Sequence, residues 1–443
     1  MDWFVFHRVL RAQFLASGLR YGLVTGILLF GCSFGPLLVP RAQAQSSADR
    51  TNWVEVRLHH DLDVESAQLT PERGTLAVLL PSDHTPILQL RPNETVTLGR
   101  REGDIYARHG DAALYARTLH LAPEQNSAWT LKLSPESTRT YTGSLQISRA
   151  GSASGVQLVN RVSLPEYVAS VVASEYGLGA GAGAKAMAVV ARTYALFSQK
   201  HFDGAYDHVD GTASQVYRGQ SVITDAARHA ARATRGEILT YDGAPIQSVY
   251  FSSSGGHTAN NEDVWTGSDP LPYLRGKEDP YDRPSPKHRW TTRIDRSTLL
   301  QALSLQQGAS VNGFLLGERA PDGRLHTIEL LRADDTAPEI EASTFRSLVN
   351  DRVNGRPLKS TWFDARREGD TYVFEGRGHG HGVGLNQWGA HTMAEQGKSY
   401  REILSFYYTG VQIRQLDATS SPPPLAKDPA AEVPDSTSSR IGW

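Results

Sequence analysis

The chain has 443 residues, 40% of them hydrophobic and 21% charged, which is typical of a globular protein and long enough for two or three domains. Its 45 basic and 47 acidic side chains give a formal net charge of −2, which provides no basic field for a nucleic acid partner. The single cysteine, Cys32, excludes internal disulfides and Cys-based zinc sites.

The first 44 residues have the pattern of an export signal. A basic start precedes an uncharged run from Tyr21 to Val39, and Ala42-Gln43-Ala44 fits a small-x-small cleavage site. We predict a signal peptide cleaved after Ala44 and a protein in the periplasm or cell envelope. Two alternatives stay open, an uncleaved anchor and a lipoprotein: the run nearly suffices to span a bilayer, and "LFGC", ending at Cys32, resembles a lipobox.

Beyond the signal, the sequence predicts two folded regions and a tail. After a polar linker (45–52), short alternating runs between Pro, Gly, Asn and Asp predict a β-rich N-terminal domain over 53–162. Residues 163–416 mix helical and strand patterns, so we predict an α+β fold with helices and antiparallel strands around a cleft. The Pro- and Ser-rich segment 417–443 has almost no large apolar residues and predicts a disordered tail.

Four helices and a hairpin are predicted in the second region. "SLPE" from Ser163 is a capping box, which predicts a helix from Leu164 to about Tyr176. A glycine-rich break and an alanine-rich helix ending near Gln199 follow, then a helix over Thr224–Arg235. Asp242-Gly243 between β-rich runs predicts a hairpin turn, and "ASTFRSLVNDRV" predicts a further helix.

The first predicted helix carries a carboxylate on its apolar face. Leu164, Val168, Val171 and Val172 form the apolar stripe, and Glu175 extends it by one turn. A carboxylate there is costly unless it is paired or neutral, and burial raises its pKa into the range of a general acid. Helix geometry leaves two interpretations open: a catalytic acid, or a structural glutamate paired with a residue such as Arg192.

Three serines and two glycines end a predicted strand in "YFSSSGGHT", from Tyr250 to Thr258. Small hydroxyl residues at a strand end suit a cleft wall that a sugar or another polar chain approaches closely. A plain Ser/Gly loop explains the composition as well. The spacing is not G-x-S-x-G, which disfavours a serine hydrolase.

Glycines alternate in "GRGHGHGVGLNQWGA", from Gly376 to Ala390, which is not a nucleotide-binding fingerprint. His379 and His381 have strand-like spacing and, with His257 or His391, could bind a metal. We favour the other interpretation, in which the glycines let the backbone lie close to a neighbour or ligand and one histidine forms a hydrogen bond.

The three motifs "YVASVVASEYG", "YFSSSGGHT" and "GHGVGLNQWGA", in that order and with "SQVYRG" and "FYYTGVQI", closely resemble the SpoIID/LytB family of bacterial cell-wall proteins. The resemblance runs from about Ser163 to Ile413. It implies either a lytic transglycosylase that cleaves peptide-stripped glycan strands or an amidase enhancer.

The resemblance also implies roles for single residues. Glu175 matches the family's catalytic acid. The chain departs from the family in "EYGLGAGAGAKAM", and it has no cysteine near Asp210, where some members bind zinc, so we expect no zinc of that type and no cofactor. The residues implied to bind substrate are Arg192, Tyr194, Tyr250, Ser252, Ser253, Ser254, His381, Gln387 and Trp388.

The implied reaction uses one carboxylate. Protonated Glu175 donates to the glycosidic oxygen between N-acetylmuramic acid and N-acetylglucosamine, and then accepts the proton of the C6 hydroxyl, which closes a 1,6-anhydro ring. A hydrolase would need a second carboxylate, for which Glu262, Asp263 and Asp269 are candidates.

The expected partners follow from the same resemblance. They are peptidoglycan strands and an N-acetylmuramoyl-L-alanine amidase, which a non-catalytic, peptidoglycan-binding protein would activate. We expect no nucleic acid partner, and membrane contact only through an uncleaved signal or a lipid anchor.

Overall fold

A computed structural model describes residues 52–416, apart from 81–82, 125, 135–136, 153, 198–204 and 306–307. The predicted signal peptide (1–44) and the predicted tail (417–443) lie outside the described residues. Seven helices and many antiparallel strands in the described part confirm the α+β class. None of these helices is long and apolar enough to cross a bilayer.

The N-terminal part of the described chain, up to Ser163, is built from strands. Alternate side chains are buried along them, as in Val54, Val56 and Leu58, which is the period expected of a strand with one face on a core. The β-rich N-terminal region is therefore present. Its strands are β1 (Trp53–Leu58), β2 (Ser66–Arg73), β3 (Leu76–Leu80), β4 (Asp83–Leu90), β5 (Val96–Arg101), β6 (Asp104–His109), β7 (Ala112–Ala116), β8 (Leu119–Pro123), β9 (Ala128–Ser134), β10 (Ser137–Tyr141), β11 (Ser144–Arg149) and β12 (Val156–Ser163).

The rest of the described chain, from Leu164 onward, alternates helices with short strands. Its helices are α1 (Leu164–Glu175), α2 (Ala182–Phe197), α3 (Asp225–Ala233), α4 (Arg296–Ser304), α5 (Ala342–Arg352), α6 (Gln387–Glu395) and α7 (Tyr400–Tyr407). Its strands are β13 (His208–Val209), β14 (Glu237–Tyr241), β15 (Ala244–Pro245), β16 (Tyr250–Phe251), β17 (Arg289–Asp295), β18 (Val311–Leu316), β19 (Thr327–Arg332), β20 (Glu339–Glu341), β21 (Phe363–Glu368), β22 (Thr371–Arg377), β23 (Leu385–Asn386) and β24 (Gln412–Gln415). The four predicted helices correspond to α1, α2, α3 and α5.

Two larger sheets organise the N-terminal region, in the orders β13-β1-β12-β11-β8-β3-β4 and β10-β9-β2-β5-β6-β7. All neighbours pair antiparallel except β13, which runs parallel to β1, with Val56 opposite His208. Because β13 follows α2, in the second predicted domain, the first sheet includes residues from both predicted domains.

Helix α1 follows β12 without a loop, as predicted. Its residues Leu164, Val168, Val171 and Val172 are all buried, which confirms the apolar stripe. The predicted capping box is wrong in detail: the Ser163 hydroxyl donates to the Glu166 carboxylate rather than accepting from the backbone. That carboxylate also accepts from Thr142 and Gln220, so its partners lie outside the helix end.

The alanine-rich helix α2 is the central helix of the part of the chain that follows Ser163. It packs against α1, α3, α6 and α7, and small side chains let those helices approach closely. Gly183 lies against the Tyr176 hydroxyl and the Ala390 carbonyl, where a Cβ atom would clash. The helix bundle shares one hydrophobic core with the N-terminal sheets, whereas β17 to β22 with α4 and α5 enclose a smaller second core.

The predicted hairpin turn is confirmed. Asp242 and Gly243 both have positive φ, 48° and 83°, as the predicted turn requires, and they join β14 to β15. Strand β24, from the end of the described chain, pairs with the other edge of β14.

Candidate active site

Strands β16 and β23 bring two of the three motifs together. They pair in parallel, with Tyr250 opposite Leu385, so their carboxyl ends lie side by side. The Trp388 backbone N–H donates to the Ser252 carbonyl at 3.2 Å. Gly384 permits this approach, since a Cβ atom there would stand 2.1 Å from the Val249 carbonyl oxygen. The close-packing interpretation of the alternating glycines is thereby confirmed.

Glu175 is the last residue of α1 and is partly buried. Its Oε1 accepts a hydrogen bond from the Val216 backbone N–H at 2.9 Å and from the Tyr250 hydroxyl at 3.3 Å. Within the described residues no ion pair involves this carboxylate. Arg192, the example of a partner named for the structural interpretation, binds elsewhere.

Burial raises the pKa of Glu175, and the two hydrogen bonds from Val216 and Tyr250 oppose that rise without cancelling it. Desolvation disfavours the ionised form of a carboxylic acid, whereas donors to its oxygens favour that form. The side chain therefore stays protonated to a higher pH than an ordinary glutamate, as a general acid requires.

A chain of hydrogen bonds leads from the protein core to Glu175. The Tyr167 hydroxyl donates to Gln215 Oε1, and Gln215 Nε2 donates to the Tyr250 hydroxyl, each at 3.2 Å. The Tyr250 hydroxyl is then left to donate to Glu175. Burial, followed by the neighbouring Glu175, raises the pKa of Tyr250 well above its usual value, so it remains a donor. These hydrogen bonds orient the Tyr250 hydroxyl toward Oε1 of Glu175.

Sequence reasoning did not single out Gln215. It is fully buried, and the next residue, Val216, supplies the backbone donor to Glu175. No spacing pattern identifies a lone buried amide in a loop. Only the resemblance of "SQVYRG" to the family motif pointed to this segment.

The segment that carries Gln215 is anchored to β1. Strand β13 pairs with β1, and the buried Asp210 carboxylate accepts from the backbone N–H groups of His59 and His60 at 2.9 and 3.3 Å. Arg139 donates to the same carboxylate at 3.1 Å. Burial acts to raise the pKa of Asp210, but bonds from His60 and His59 outweigh it and hold that pKa below the usual range.

This anchor also contains potential metal ligands. Atoms of His60, Asp61 and Asp210 lie within 4.8 Å of one another. Asp210 already accepts from Arg139 and two backbone donors, and a guanidinium at this distance opposes binding of a second cation. We therefore assign the group a structural role.

The structure gives Ser253 and Ser254 a role other than the predicted contact with substrate. Both are buried, and the Ser253 hydroxyl donates to the Asp282 carboxylate at 2.9 Å. Asp282 also accepts from the backbone N–H groups of Ser254 and Gly255 and from the side chains of His288 and Asn386. The serine-glycine turn thus wraps a buried carboxylate, while the half-buried Ser252 remains accessible.

His381 supports the strand that carries Tyr250. Its Nδ1 accepts from the Val383 backbone N–H at 3.1 Å, so Nε2 carries the proton and donates to the Tyr250 carbonyl at 2.9 Å. Burial lowers the pKa of His381 to about 3, which keeps it neutral. Within the described residues, His379, His381, His257 and His391 do not form a group of metal ligands.

Arg192 has a structural position rather than the predicted contact with substrate. It is buried, and its guanidinium donates to the carbonyls of Ala231 and Glu237 at 3.1 and 3.0 Å and to Thr234. It therefore caps the carboxyl end of α3, where a cation is favoured. The Tyr194 ring packs against His208, with ring centres 6.0 Å apart, near the buried tyrosines.

Gln387 and Trp388 begin α6, directly after β23. The Gln387 amide makes no hydrogen bond with the described residues, so its donor and acceptor are available to a ligand. The Trp388 ring is half-buried and meets His391 edge-on. Both side chains suit contacts with a polar polymer.

The three candidates for a second carboxylate do not contact Glu175. Glu262 forms a bidentate ion pair with Arg275, in which both N–O distances are 2.6 Å. Asp263 accepts from Asn260, and Asp269 contributes its backbone carbonyl to Asn261.

Comparison with known proteins identifies the family. Residues 152–241 match the family described as "SpoIID: Stage II sporulation protein". The chain is 33% identical over 318 residues to "Stage II sporulation protein D" of Bacillus subtilis, a match that covers 67% of this chain and 84% of the relative. The chain belongs to the SpoIID family.

Two further relatives of this SpoIID family member extend the comparison. The stage II sporulation protein D of Bacillus amyloliquefaciens is 32% identical, over 68% of this chain and 86% of its own length. An "Amidase enhancer" of Bacillus subtilis is 27% identical, over 52% of this chain and 37% of its own length. The resemblance predicted from the motifs is confirmed.

The SpoIID family match contains only part of the site. Glu175, Gln215 and Val216 lie within residues 152–241, whereas Tyr250 and His381 lie beyond it. The hydrogen bond from Tyr250 to Glu175 therefore joins the matched segment to the strand that follows it.

Proposed function

We propose that this protein acts on the bacterial cell wall as a lytic transglycosylase. Its substrate is the bond between N-acetylmuramic acid and N-acetylglucosamine in peptide-stripped glycan strands. The observation that carries the proposal is Glu175, a partly buried carboxylic acid with a raised pKa, two donors on one oxygen and no cation paired with it among the described residues.

The step balances with one carboxylic acid. Protonated Glu175 gives its proton to the glycosidic oxygen, and the bond from that oxygen to the anomeric carbon of N-acetylmuramic acid breaks. The C6 hydroxyl oxygen of the same sugar bonds to the anomeric carbon, and its proton returns to Glu175. The products are a new N-acetylglucosamine end and a 1,6-anhydro sugar, with no water consumed.

The neighbours of Glu175 support this role. The Val216 N–H and the Tyr250 hydroxyl stabilise the ionised form that exists between the two proton transfers. Both act on Oε1, which leaves Oε2 to carry the transferred proton. The Gln387 amide and the Trp388 ring are proposed to hold sugar acetamido groups and faces.

The proposed substrate requires export. We propose that residues 1–44 direct the chain to the cell envelope. This assignment rests on the sequence pattern of that segment.

Digestion of peptide-free glycan strands tests the proposal. Purified protein should release fragments with 1,6-anhydro ends, which are lighter by one water than hydrolytic products in mass spectrometry. Glu175→Gln should release none, whereas Glu339→Gln, an exposed glutamate on β20, should act as wild type. Reducing ends without the anhydro ring, or equal product from Glu175→Gln, would overturn the proposal.

A second candidate function is activation of an amidase, which the relative named "Amidase enhancer" favours. In that case the protein binds peptidoglycan without cleaving it. An N-acetylmuramoyl-L-alanine amidase would release peptides faster in its presence, and Glu175→Gln would enhance it as well as wild type. A rate that Glu175→Gln does not enhance excludes this function.

A further inference from the structure

Four basic residues act electrostatically on His379, at the start of the glycine-rich motif. The backbone N–H groups of Gly378 and Gly380 donate to the carbonyls of Lys287 and Lys359, at 2.9 and 3.0 Å. The two residues that flank His379 are thus bound directly to two lysines from distant parts of the chain.

Two arginines complete the group. The Lys359 ammonium donates to the Arg356 carbonyl at 2.7 Å, and Arg346 Nε donates to the Leu358 carbonyl at 3.1 Å. Burial, together with repulsion from Arg346, Lys359, Lys287 and Arg356, lowers the pKa of His379 to about 4. We call these four residues the basic cluster.

No carboxylate neutralises the basic cluster in the part of the chain that the structure describes. None of its four side chains forms an ion pair there, and those of Lys287 and Arg356 make no hydrogen bond with described residues. Other cations of the same region are paired: Arg293 with Glu368 at 2.8 Å and Arg366 with Glu375 at 2.7 Å.

Unpaired like charges at one place repel each other and cost stability. Burial and the other three cations also lower the pKa of Lys359. Because no described carboxylate balances the basic cluster, an anion that binds there would relieve this repulsion.

Backbone contacts connect the basic cluster to the strand whose Tyr250 hydroxyl donates to Glu175. His379 forms a two-way backbone bridge with Ser253, with N–O distances of 2.7 and 3.0 Å. Ser253 is three residues beyond Tyr250, a span of about 10 Å at the rise of an extended chain. A glycan strand bound at Glu175 is a polymer and extends well beyond one sugar, so it can reach both places.

We propose that the basic cluster binds the free lactyl carboxylates of N-acetylmuramic acid in peptide-stripped strands. In an intact strand the lactyl group is joined to the peptide through an amide and carries no charge. Removal of the peptide exposes a carboxylate on every second sugar, directly on the strand. The cluster therefore selects stripped strands by charge. The inference deepens the proposed function and rests on it for the identity of the polymer.

A binding measurement tests the proposal without turnover. Glu175→Gln is used as the background, so that strands stay intact, and its affinity is measured for stripped strands and for the same strands with methyl-esterified carboxylates. Lys287→Gln with Arg356→Gln removes two unpaired cations that support no described contact. Lys132→Gln, an exposed cation on β9, is the matched control.

We expect the double variant and the esterification each to weaken binding by about fivefold to tenfold, as two partly exposed charge contacts would. The two effects should not add, and Lys132→Gln should bind as the background does. Equal binding of free and esterified strands, or an equal loss from Lys132→Gln, would overturn the inference.

Two further outcomes are decisive. Tighter binding to a phosphate polymer such as teichoic acid, lost in the double variant, would assign the cluster to phosphate and overturn the inference. Charge-dependent binding in a protein that forms no anhydro product would remove the proposed reaction and leave the carboxylate site standing. The failures of the two proposals are thus distinguishable.

Discussion

Two carboxylates at the meeting point of the motifs have opposite surroundings. Asp282 is fully buried and accepts from five donor groups, on Ser253, Ser254, Gly255, His288 and Asn386. Glu175 is partly exposed and accepts from two, both on one oxygen. The carboxylate with many donors fixes the backbone of the motif, whereas the one with few keeps an oxygen and a proton available.

This difference corrects the sequence interpretation of the serine motif. Hydroxyl groups at a strand end suggested contacts with sugar, yet the Ser253 hydroxyl is used to hold Asp282. The buried acid with many donors, Asp282, thus has a structural role. The partly buried acid with few donors, Glu175, is the candidate catalytic group.

The largest effect should come from removing the acid. Glu175→Gln keeps the size of the side chain and an oxygen that can accept from Val216 and Tyr250. We expect the rate of anhydro-product formation to fall by about 10²- to 10⁴-fold, the usual contribution of a general acid. The measurement is initial rate on peptide-free strands, together with thermal unfolding.

The same variant tests the raised pKa of Glu175 through the pH dependence of stability. Because the folded-state pKa of Glu175 is raised above its unfolded value, folding is penalised as the pH rises through the folded pKa. Glu175→Gln lacks that penalty, so its melting temperature relative to wild type should increase from about pH 4 to pH 7. A constant difference would contradict the raised pKa.

Asp282→Asn should damage stability instead. The new amide N–H groups of asparagine would face the donors from which the Asp282 carboxylate accepts hydrogen bonds. Breaking such a buried charged network costs about 3–5 kcal/mol. Denaturant unfolding measures the loss. Glu262→Gln, which breaks the more exposed pair with Arg275, should cost about 0–1 kcal/mol. Equal losses would remove the distinction between a buried and an exposed carboxylate.

Tyr250→Phe should shift the pH profile. The Tyr250 hydroxyl lowers the pKa of Glu175, so its removal raises that pKa and the acid stays protonated to higher pH. We expect the alkaline limb of the rate profile to move up by about one pH unit. Tyr400→Phe removes a hydroxyl that donates to Glu237 and should leave the limb unchanged. A shift to lower pH would contradict the geometry.

The smallest effect is expected at Gln387. Its amide has no partner among the described residues, so Gln387→Ala loses only the packing of this buried side chain and should lower the unfolding free energy by about 1 kcal/mol or less. If it holds the strand, KM should rise a few-fold, about 1 kcal/mol or less of binding. Gln301→Ala, on the exposed face of α4, is the control. A lowered melting temperature with unchanged KM would assign Gln387 to the fold.

The sequence predicted what depends on local pattern. The bounds of α1, the buried stripe before Glu175 and the turn at Asp242-Gly243 all follow from period, caps and turn chemistry, and the structure confirms each except the detail of the cap. The alternate glycines also predicted a close backbone approach, which Gly384 shows against Val249.

What the sequence could not predict depends on long-range pairing. Gln215 lies 35 residues from Tyr250, and Asp282 lies 29 residues from Ser253. No periodicity joins such positions, because only the folded chain brings them together. For the same reason Arg192 was predicted to bind substrate, although its partners are carbonyls and a hydroxyl between the end of α3 and the start of β14.

The parallel pairing of β13 with β1 bears on how this protein can be divided. Val216, which donates to Glu175, follows β13 by seven residues; β13 pairs with β1, and Asp210 accepts from His59, directly after β1. A truncated chain that begins at Ser163 would carry every family motif and yet lack the edge on which one donor to the acid depends. The β-rich region therefore helps to position the donor to Glu175. A fragment that contains only the motifs would not keep that donor in place.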